Sequence, residues 1–118
     1  MAKPKITSQP DALVIGAGPA GLMASEELAK SGLKVWVVDA KPSFGRKFLM
    51  AGQSGSNLTK SEAQDTFQAQ FHTAQASLRP MLDTFGPAQV EAWATELGQA
   101  LFTGSTGRVF PVAMKASP

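Results

Sequence analysis

Asp11-Ala-Leu-Val-Ile-Gly16-Ala-Gly18-Pro-Ala-Gly21-Leu22 decides how the rest of the chain is read. It runs from an apolar strand through a glycine turn into the start of a helix. The glycines have the G-x-G-x-x-G spacing of a dinucleotide-binding turn. Gly16 permits the tight exit from the strand, and Gly18 lets a pyrophosphate approach the backbone. Gly21 allows close packing of helix on strand. The helix N-terminus then offers unsatisfied N–H groups and a partial positive charge to phosphates.

Such a glycine pattern is a weak signal alone, so its flanks carry the argument. Leu13-Val14-Ile15 precede the turn. A helical pattern over Pro19 to Ser31 follows, then Gly32 as a stop and a second apolar run, Val35-Trp36-Val37-Val38, ending in Asp39. Asp39 lies 18 residues beyond Gly21, where an acid can meet a ribose hydroxyl. The strands are expected at Ala12 to Ile15 and Lys34 to Asp39, parallel and joined by a right-handed crossover. Their continuous apolar character predicts burial on both faces, with Trp36 in the core. Ala20, Ala24 and Leu28 are expected to form the sheet-facing stripe of the helix, with Glu26 and Lys30 paired on its wet side.

The 118 residues carry a net charge of +2, with 43% hydrophobic and 17% charged residues. That is an ordinary globular composition, of one domain at most. The scattered basic residues give no concentrated face for nucleic acid. With no cysteine and one histidine, His72, neither a thiolate or histidine metal site nor a catalytic triad is expected. Residues 1–10 read as a flexible lead-in without the apolar core of a signal peptide. No stretch approaches a membrane span, so a cytoplasmic location is the default.

Ala40 to Lys60 reads as a long irregular segment, either functional or solvated. Ser61 is a candidate cap for an interrupted helix with apolar positions Phe67, Phe71, Ala74 and Leu78. A short helix over Leu78 to Phe85 would carry Pro80 in its first turn. The pattern over Pro87 to Leu97 is a clearer helix, started by Pro87, stopped by Gly98, and apolar at Val90, Trp93, Ala94 and Leu97. Ala100 to Thr103 and Arg108 to Pro111 form a hairpin about the Gly104-Ser-Thr-Gly107 turn. That turn could cradle an anion, but a hairpin turn beside an arginine is the commoner case. No phosphate loop of the G-x-x-x-x-G-K-[ST] type occurs, and Gln53-Ser54-Gly55-Ser56 is not a nucleophile elbow.

Taken with these motifs, Val14-Ile-Gly-Ala-Gly-Pro-Ala-Gly-Leu-Met-Ala24 resembles the N-terminus of FAD-dependent flavoproteins. Gly45-Arg-Lys-Phe-Leu-Met-Ala-Gly52, Asn57-Leu-Thr59, Gly104-Ser-Thr-Gly-Arg-Val-Phe-Pro111 and Met114-Lys-Ala-Ser-Pro118 narrow the likeness. Together they resemble a bacterial family of NAD(P)/FAD-dependent oxidoreductases, with aminoacetone oxidase-like flavoproteins as relatives. The resemblance implies FAD as cofactor, with Gly16, Gly18, Pro19, Ala20 and Gly21 at the pyrophosphate. It implies Asp39 at the adenosine ribose, with Ala40 and Lys41 following it. Gly45, Arg46 and Lys47 would open a second cofactor loop, and Asn57 and Thr59 would lie near the flavin or its ribityl chain. Many relatives carry arginine-cysteine before the asparagine, where this chain has Gly55-Ser56.

Members of such a family are several times longer, so residues 11–118 are expected to be the N-terminal part of an FAD/NAD(P)-binding domain. The fold class expected is α/β: a partial Rossmann-like βαβ unit, a helical segment and a β-hairpin. The function expected is the FAD-binding portion of a flavin-dependent oxidoreductase acting on an unknown small molecule. No catalytic acid or base can be named, and the chain alone is expected to be inactive. The alternatives are an NAD-binding dehydrogenase fragment, since Asp39 suits NAD equally, and a non-catalytic module that self-associates through an open sheet edge.

Overall fold

The computed structural model describes residues 8–51 and 55–115. The expected lead over residues 1–7, Gly52, Gln53, Ser54 and the final Ala116-Ser117-Pro118 lie outside the described residues. The chain divides into two compact units, residues 1–50 and 51–118.

The first unit is a βαβ motif. Strand β1 (Ala12–Ile15) leads to helix α1 (Pro19–Lys30) and strand β2 (Val35–Val38). The strands pair in parallel, Ala12 opposite Val35 through Ile15 opposite Val38. Apolar β-branched residues at the paired positions explain why these runs take the extended state. Each end of the pair is fastened by an aspartate. At the start, Asp11 gives its N–H to the Lys34 carbonyl (2.8 Å) and accepts the Lys34 N–H on its carboxylate (2.8 Å). At the finish, Asp39 accepts the Ala17 N–H (2.8 Å).

Helix α1 starts at once because Pro19 already has a helical φ and no N–H to satisfy. It ends in a Schellman motif: the Gly32 N–H reaches the Ala29 carbonyl (2.9 Å) and the Leu33 N–H the Leu28 carbonyl (3.3 Å). Glu26 and Lys30 pair at 2.8 Å, as their spacing predicts. The stripe toward the sheet is displaced from the expected one. Gly21, Ser25 and Leu28 are half-buried, whereas Ala20 and Ala24 are exposed. The displacement has a backbone cause. A Cβ built on Gly21 would lie 1.8 Å from the Gly16 carbonyl oxygen and 3.3 Å from Val14 Cγ1. The glycine, not the neighbouring alanine, is therefore the contact point.

Burial on both faces of the pair is corrected by the structure. Leu13 is 54% exposed, Ile15 81% and Val38 43%. In β1 the exposed Leu13 and Ile15 alternate with the half-buried Ala12 and Val14, as the two-residue period of a strand requires, whereas Val35, Trp36 and Val37 of β2 are all half-buried. One helix covers one face of a two-stranded sheet. A sheet covered on both faces needs a second layer.

Ala40 to Lys60 is not wholly irregular. A five-residue helix, α2 (Arg46–Met50), closes the first unit, and a two-residue strand, β3 (Thr59–Lys60), belongs to the second. Sequence period cannot detect elements this short.

The second unit is a three-stranded antiparallel sheet with helices. Strand β4 (Leu101–Thr103) and strand β5 (Arg108–Pro111) form the expected hairpin, and β3 joins it on the other side of β5. Phe102 and Phe110, directly opposite, stack with ring centroids 5.6 Å apart. Helix α3 (Gln64–Ala69) is capped at Ala63 with no side-chain bond, so Ser61 is not its cap. A 3₁₀ turn (His72–Ala74) leads to α4 (Gln75–Thr84), with Phe67 and Phe71 edge-to-face beneath it. Pro80 is inside α4 rather than in its first turn. The helix starts earlier than its apolar pattern suggests. Helix α5 (Pro87–Glu96) lies against β3 and β4. Ala94 is buried and Val90 and Trp93 half-buried, but Leu97, at the C-cap, is 54% exposed.

Ala17, Ala94 and Val109 are buried apolar residues, and Pro87 and Pro111 are buried with them. Gln68 is the largest fully buried side chain beside Val109, and its Nε2 donates to Asp83 Oδ1 at 2.6 Å.

Two substitutions test these contacts. Gly21→Ala drives a methyl into an immovable carbonyl and is expected to destabilise the first unit by about 3 kcal/mol, read from its urea midpoint. Gln68→Ala leaves a cavity and removes the Asp83 bond, with an expected loss of about 2 kcal/mol in the second unit. Hydrogen exchange of the amides in α3 and α4 is the local readout.

Candidate functional site

The candidate site is a cleft in the first unit at the finishing ends of β1 and β2. This is where an open parallel sheet places its ligands. Its volume is about 200 Å³. Three chain segments build it: the β1–α1 turn, the end of β2, and the loop into α2.

The turn is held by its backbone. The Gly16 N–H binds the Val38 carbonyl at 2.7 Å, with Gly16 at φ +101°. That φ is left-handed and suits only glycine at low cost. The Ala17 N–H is taken by Asp39 Oδ2, and the Ala17 carbonyl accepts the Gly45 N–H at 2.8 Å. Gly18 caps α1 in an extended conformation (φ −82°, ψ −177°), and the first bond of the helix runs from the Leu22 N–H to its carbonyl (2.9 Å). The N–H groups ahead of that bond have no partner along the helix.

Asp39 forms the floor on the β2 side. Besides the Ala17 N–H, it accepts the Lys41 N–H on Oδ1 at 2.7 Å. These two amides hold its carboxyl below the usual carboxylate range. The Lys41 and Arg46 charges lower it further, while desolvation opposes them. Lys41, Arg46 and Lys47 line the same cleft, and the charges of the first two act on the carboxylate. Arg46 Nη1 donates to Ser43 Oγ at 3.2 Å, and both residues line the cleft. Gly45, buried, begins α2 by accepting the Leu49 N–H at 2.8 Å.

The expected residues sort into four groups. Gly18, Pro19, Asp39, Lys41, Gly45, Arg46 and Lys47 line the cleft together. Gly16 and Gly21 shape the turn from behind it, and Ala20 and Ala40 are exposed beside it without lining it. Asn57 and Thr59 belong to the second unit. Thr59 is buried opposite Val109 in the sheet. Asn57, with its side-chain nitrogen turned to the sheet, donates to the Thr59 and Val109 carbonyls at 2.9 and 3.2 Å. Two lining residues escape sequence reasoning. Ala17 acts only through its backbone, and Ser43 stands in no recognisable pattern.

The geometry fits a diphosphate-bearing cofactor. A Cβ on Gly18 would meet nothing within 4 Å, and its backbone angles suit any residue, so the fold itself does not require glycine there. What the missing side chain leaves is open room at the mouth of α1. The cleft is smaller than the roughly 300–1,000 Å³ of a complete small-molecule site, so it suits part of a dinucleotide. The Gly104–Gly107 segment is a hairpin turn, closed by the Gly104 N–H to the Arg108 carbonyl at 2.8 Å. Among the described residues no group of His, Cys, Asp or Glu could hold a metal ion, and no helix is long and apolar enough to cross a membrane.

Residues 10–118 match the family model described as HI0933-like protein Rossmann domain. Over 50 residues the chain is 46% identical to a ribosomal RNA dihydrouridine synthase of Haemophilus influenzae, covering 42% of this chain and 12% of that protein. Over 104 residues it is 32% identical to a thiamine thiazole synthase of Pyrobaculum aerophilum, covering 82% of this chain and 39% of that protein. Over 35 residues it is 51% identical to a sarcosine oxidase subunit alpha of a Corynebacterium, covering 30% and 4%. The chain thus spans well under half the length of these curated relatives.

The Asp39 carboxyl supplies a pH prediction. Its folded pKa is lowered by the Ala17 and Lys41 amides, so its stabilising effect is full above the unfolded pKa. The effect is lost as pH falls through the folded value, below about pH 4. Asp39→Asn is expected to flatten the acid limb of the stability profile of the first unit, measured by urea unfolding at successive pH values.

Proposed function

The chain belongs to the HI0933-like Rossmann-domain family, a flavin-associated oxidoreductase family, and from that premise we propose that it is the FAD-binding portion of a flavin-dependent oxidoreductase. The turn from Gly16 to Gly21 receives the pyrophosphate on the N–H groups at the mouth of α1. Asp39 accepts the hydroxyls of the adenosine ribose. Each of its oxygens bonds one backbone amide and keeps a further lone pair for such a hydroxyl. Lys41, Arg46 and Lys47 balance the diphosphate charge. Ala20 and Ala40 flank these contacts.

One observation carries the reading: the open room at Gly18, the helix mouth and the Asp39 carboxylate all belong to a single cleft. When bound, the isoalloxazine supplies the electron-transfer chemistry. The residues of this chain bind and orient it. The relatives' names point to unlike reactions: on ribosomal RNA, toward a thiazole and on sarcosine. We read the stretch that this chain shares with such different enzymes as a cofactor segment.

The test is a titration of the purified chain with FAD and, separately, NADH, followed by desalting. Retained flavin absorbance is expected for the wild type. Gly18→Val suits the extended backbone at that position, so the fold is expected to survive. Its side chain enters the phosphate space and should lower FAD affinity about tenfold to a hundredfold, the equivalent of about 1–3 kcal/mol of steric cost. Selective retention of NADH would assign the cleft to nicotinamide dinucleotides. Retention of neither by the folded chain would overturn dinucleotide binding and leave a non-catalytic module.

A further inference from the structure

A carboxylate is an awkward neighbour for a diphosphate, and its two short bonds to backbone offer a reason for its presence. We propose that Asp39 is a positioning residue that sets the geometry of the glycine turn before any ligand arrives. This inference rests on the diphosphate reading of the turn.

The geometry is a bridge. Oδ2 takes the Ala17 N–H at 2.8 Å and Oδ1 takes the Lys41 N–H at 2.7 Å. One planar group therefore joins the residue between the first two glycines to the loop that follows β2. The Ala17 carbonyl receives the Gly45 N–H on its other side. Ala17 is thus gripped at both its donor and its acceptor, and it is almost fully buried. Fixing Ala17 fixes the peptide that leads into Gly18 and so the direction of the α1 mouth.

The charge balance agrees. Only backbone faces Asp39 from the β1–α1 turn, with no titratable side chain there. Lys41 and Arg46 act on it from the loop, and Lys47 lines the same cleft. The amides and cations absorb much of the field of the carboxylate, so it can brace the turn without repelling the phosphates it serves. Aspartate, one carbon shorter than glutamate, brings the carboxyl close to its own strand end, within reach of both amides.

The experiment follows amide and carboxyl resonances of the full chain by NMR as pH is lowered without ligand. The Ala17 and Lys41 amide shifts are expected to move together with the Asp39 carboxyl carbon, at one midpoint below the usual aspartate value. Amides that ignore that midpoint, or an ordinary midpoint, would overturn the proposal. In Asp39→Asn the side chain keeps one acceptor oxygen for two amides, so exchange of either the Ala17 or the Lys41 N–H should rise about tenfold. Inorganic pyrophosphate gives an independent sign. Removal of a negative charge alone would tighten its binding, whereas a loosened turn weakens it severalfold. Tighter binding in the variant would therefore refute the positioning role. Failure of the wild type to bind pyrophosphate would refute the diphosphate reading instead, and the titration would still decide the bridge. If the variant does not fold, the wild-type titration decides alone.

Discussion

The first unit depends on one close approach: helix α1 passes the end of β1 at backbone distance. The Gly16 carbonyl occupies the space where a side chain at position 21 would begin. Everything at the cleft follows from that approach. The helix must start within three residues of the strand, Pro19 starts it, and its first N–H groups emerge at the sheet end. Were the helix further out, those amides would sit over solvent rather than beside Asp39. At Gly16 and Gly21 the glycine spacing is therefore a backbone and packing constraint.

This explains which parts of the structure could be read from sequence. Strand, turn, helix and strand were legible because each has a strong local signal. The apolar runs, Pro19, Gly32 and Asp39 occur in the order the motif demands. The buried stripe of α1 was misread because alanines at fourfold spacing look like a packing face. The actual contact is made by Gly21, which has no side chain to register in a periodicity. Likewise the apolar runs of β1 and β2 describe a sheet buried on both faces. In the described residues only one face has a helix on it, and Leu13, Ile15 and Val38 are left in the open.

The cleft was legible where chemistry resides in side chains and invisible where it resides in the backbone. Asp39, Lys41, Arg46 and Lys47 could be named from spacing and resemblance. Ala17 could not, since a methyl group gives no hint that its peptide is held on both sides. In the second unit, the helix from Pro87 and the hairpin around Gly104 were clear from their start and stop residues. The β3 strand was not, because two residues cannot display a period. Asn57 and Thr59, singled out by resemblance, have local bonds to the β5 backbone. Those bonds explain their residue types within the sheet, independently of any cofactor.

The scarcity of buried apolar residues, confined among those described to Ala17, Pro87, Ala94, Val109 and Pro111 apart from glycine, has a calorimetric meaning. The heat capacity of unfolding comes mainly from apolar surface newly hydrated. A chain that already leaves Ile15 and Met50 largely wetted has little such surface to release. Its free energy then varies gently with temperature and gives a shallow dome. Its heat absorption spreads over a wide interval, in contrast to the narrow peak of a densely filled interior.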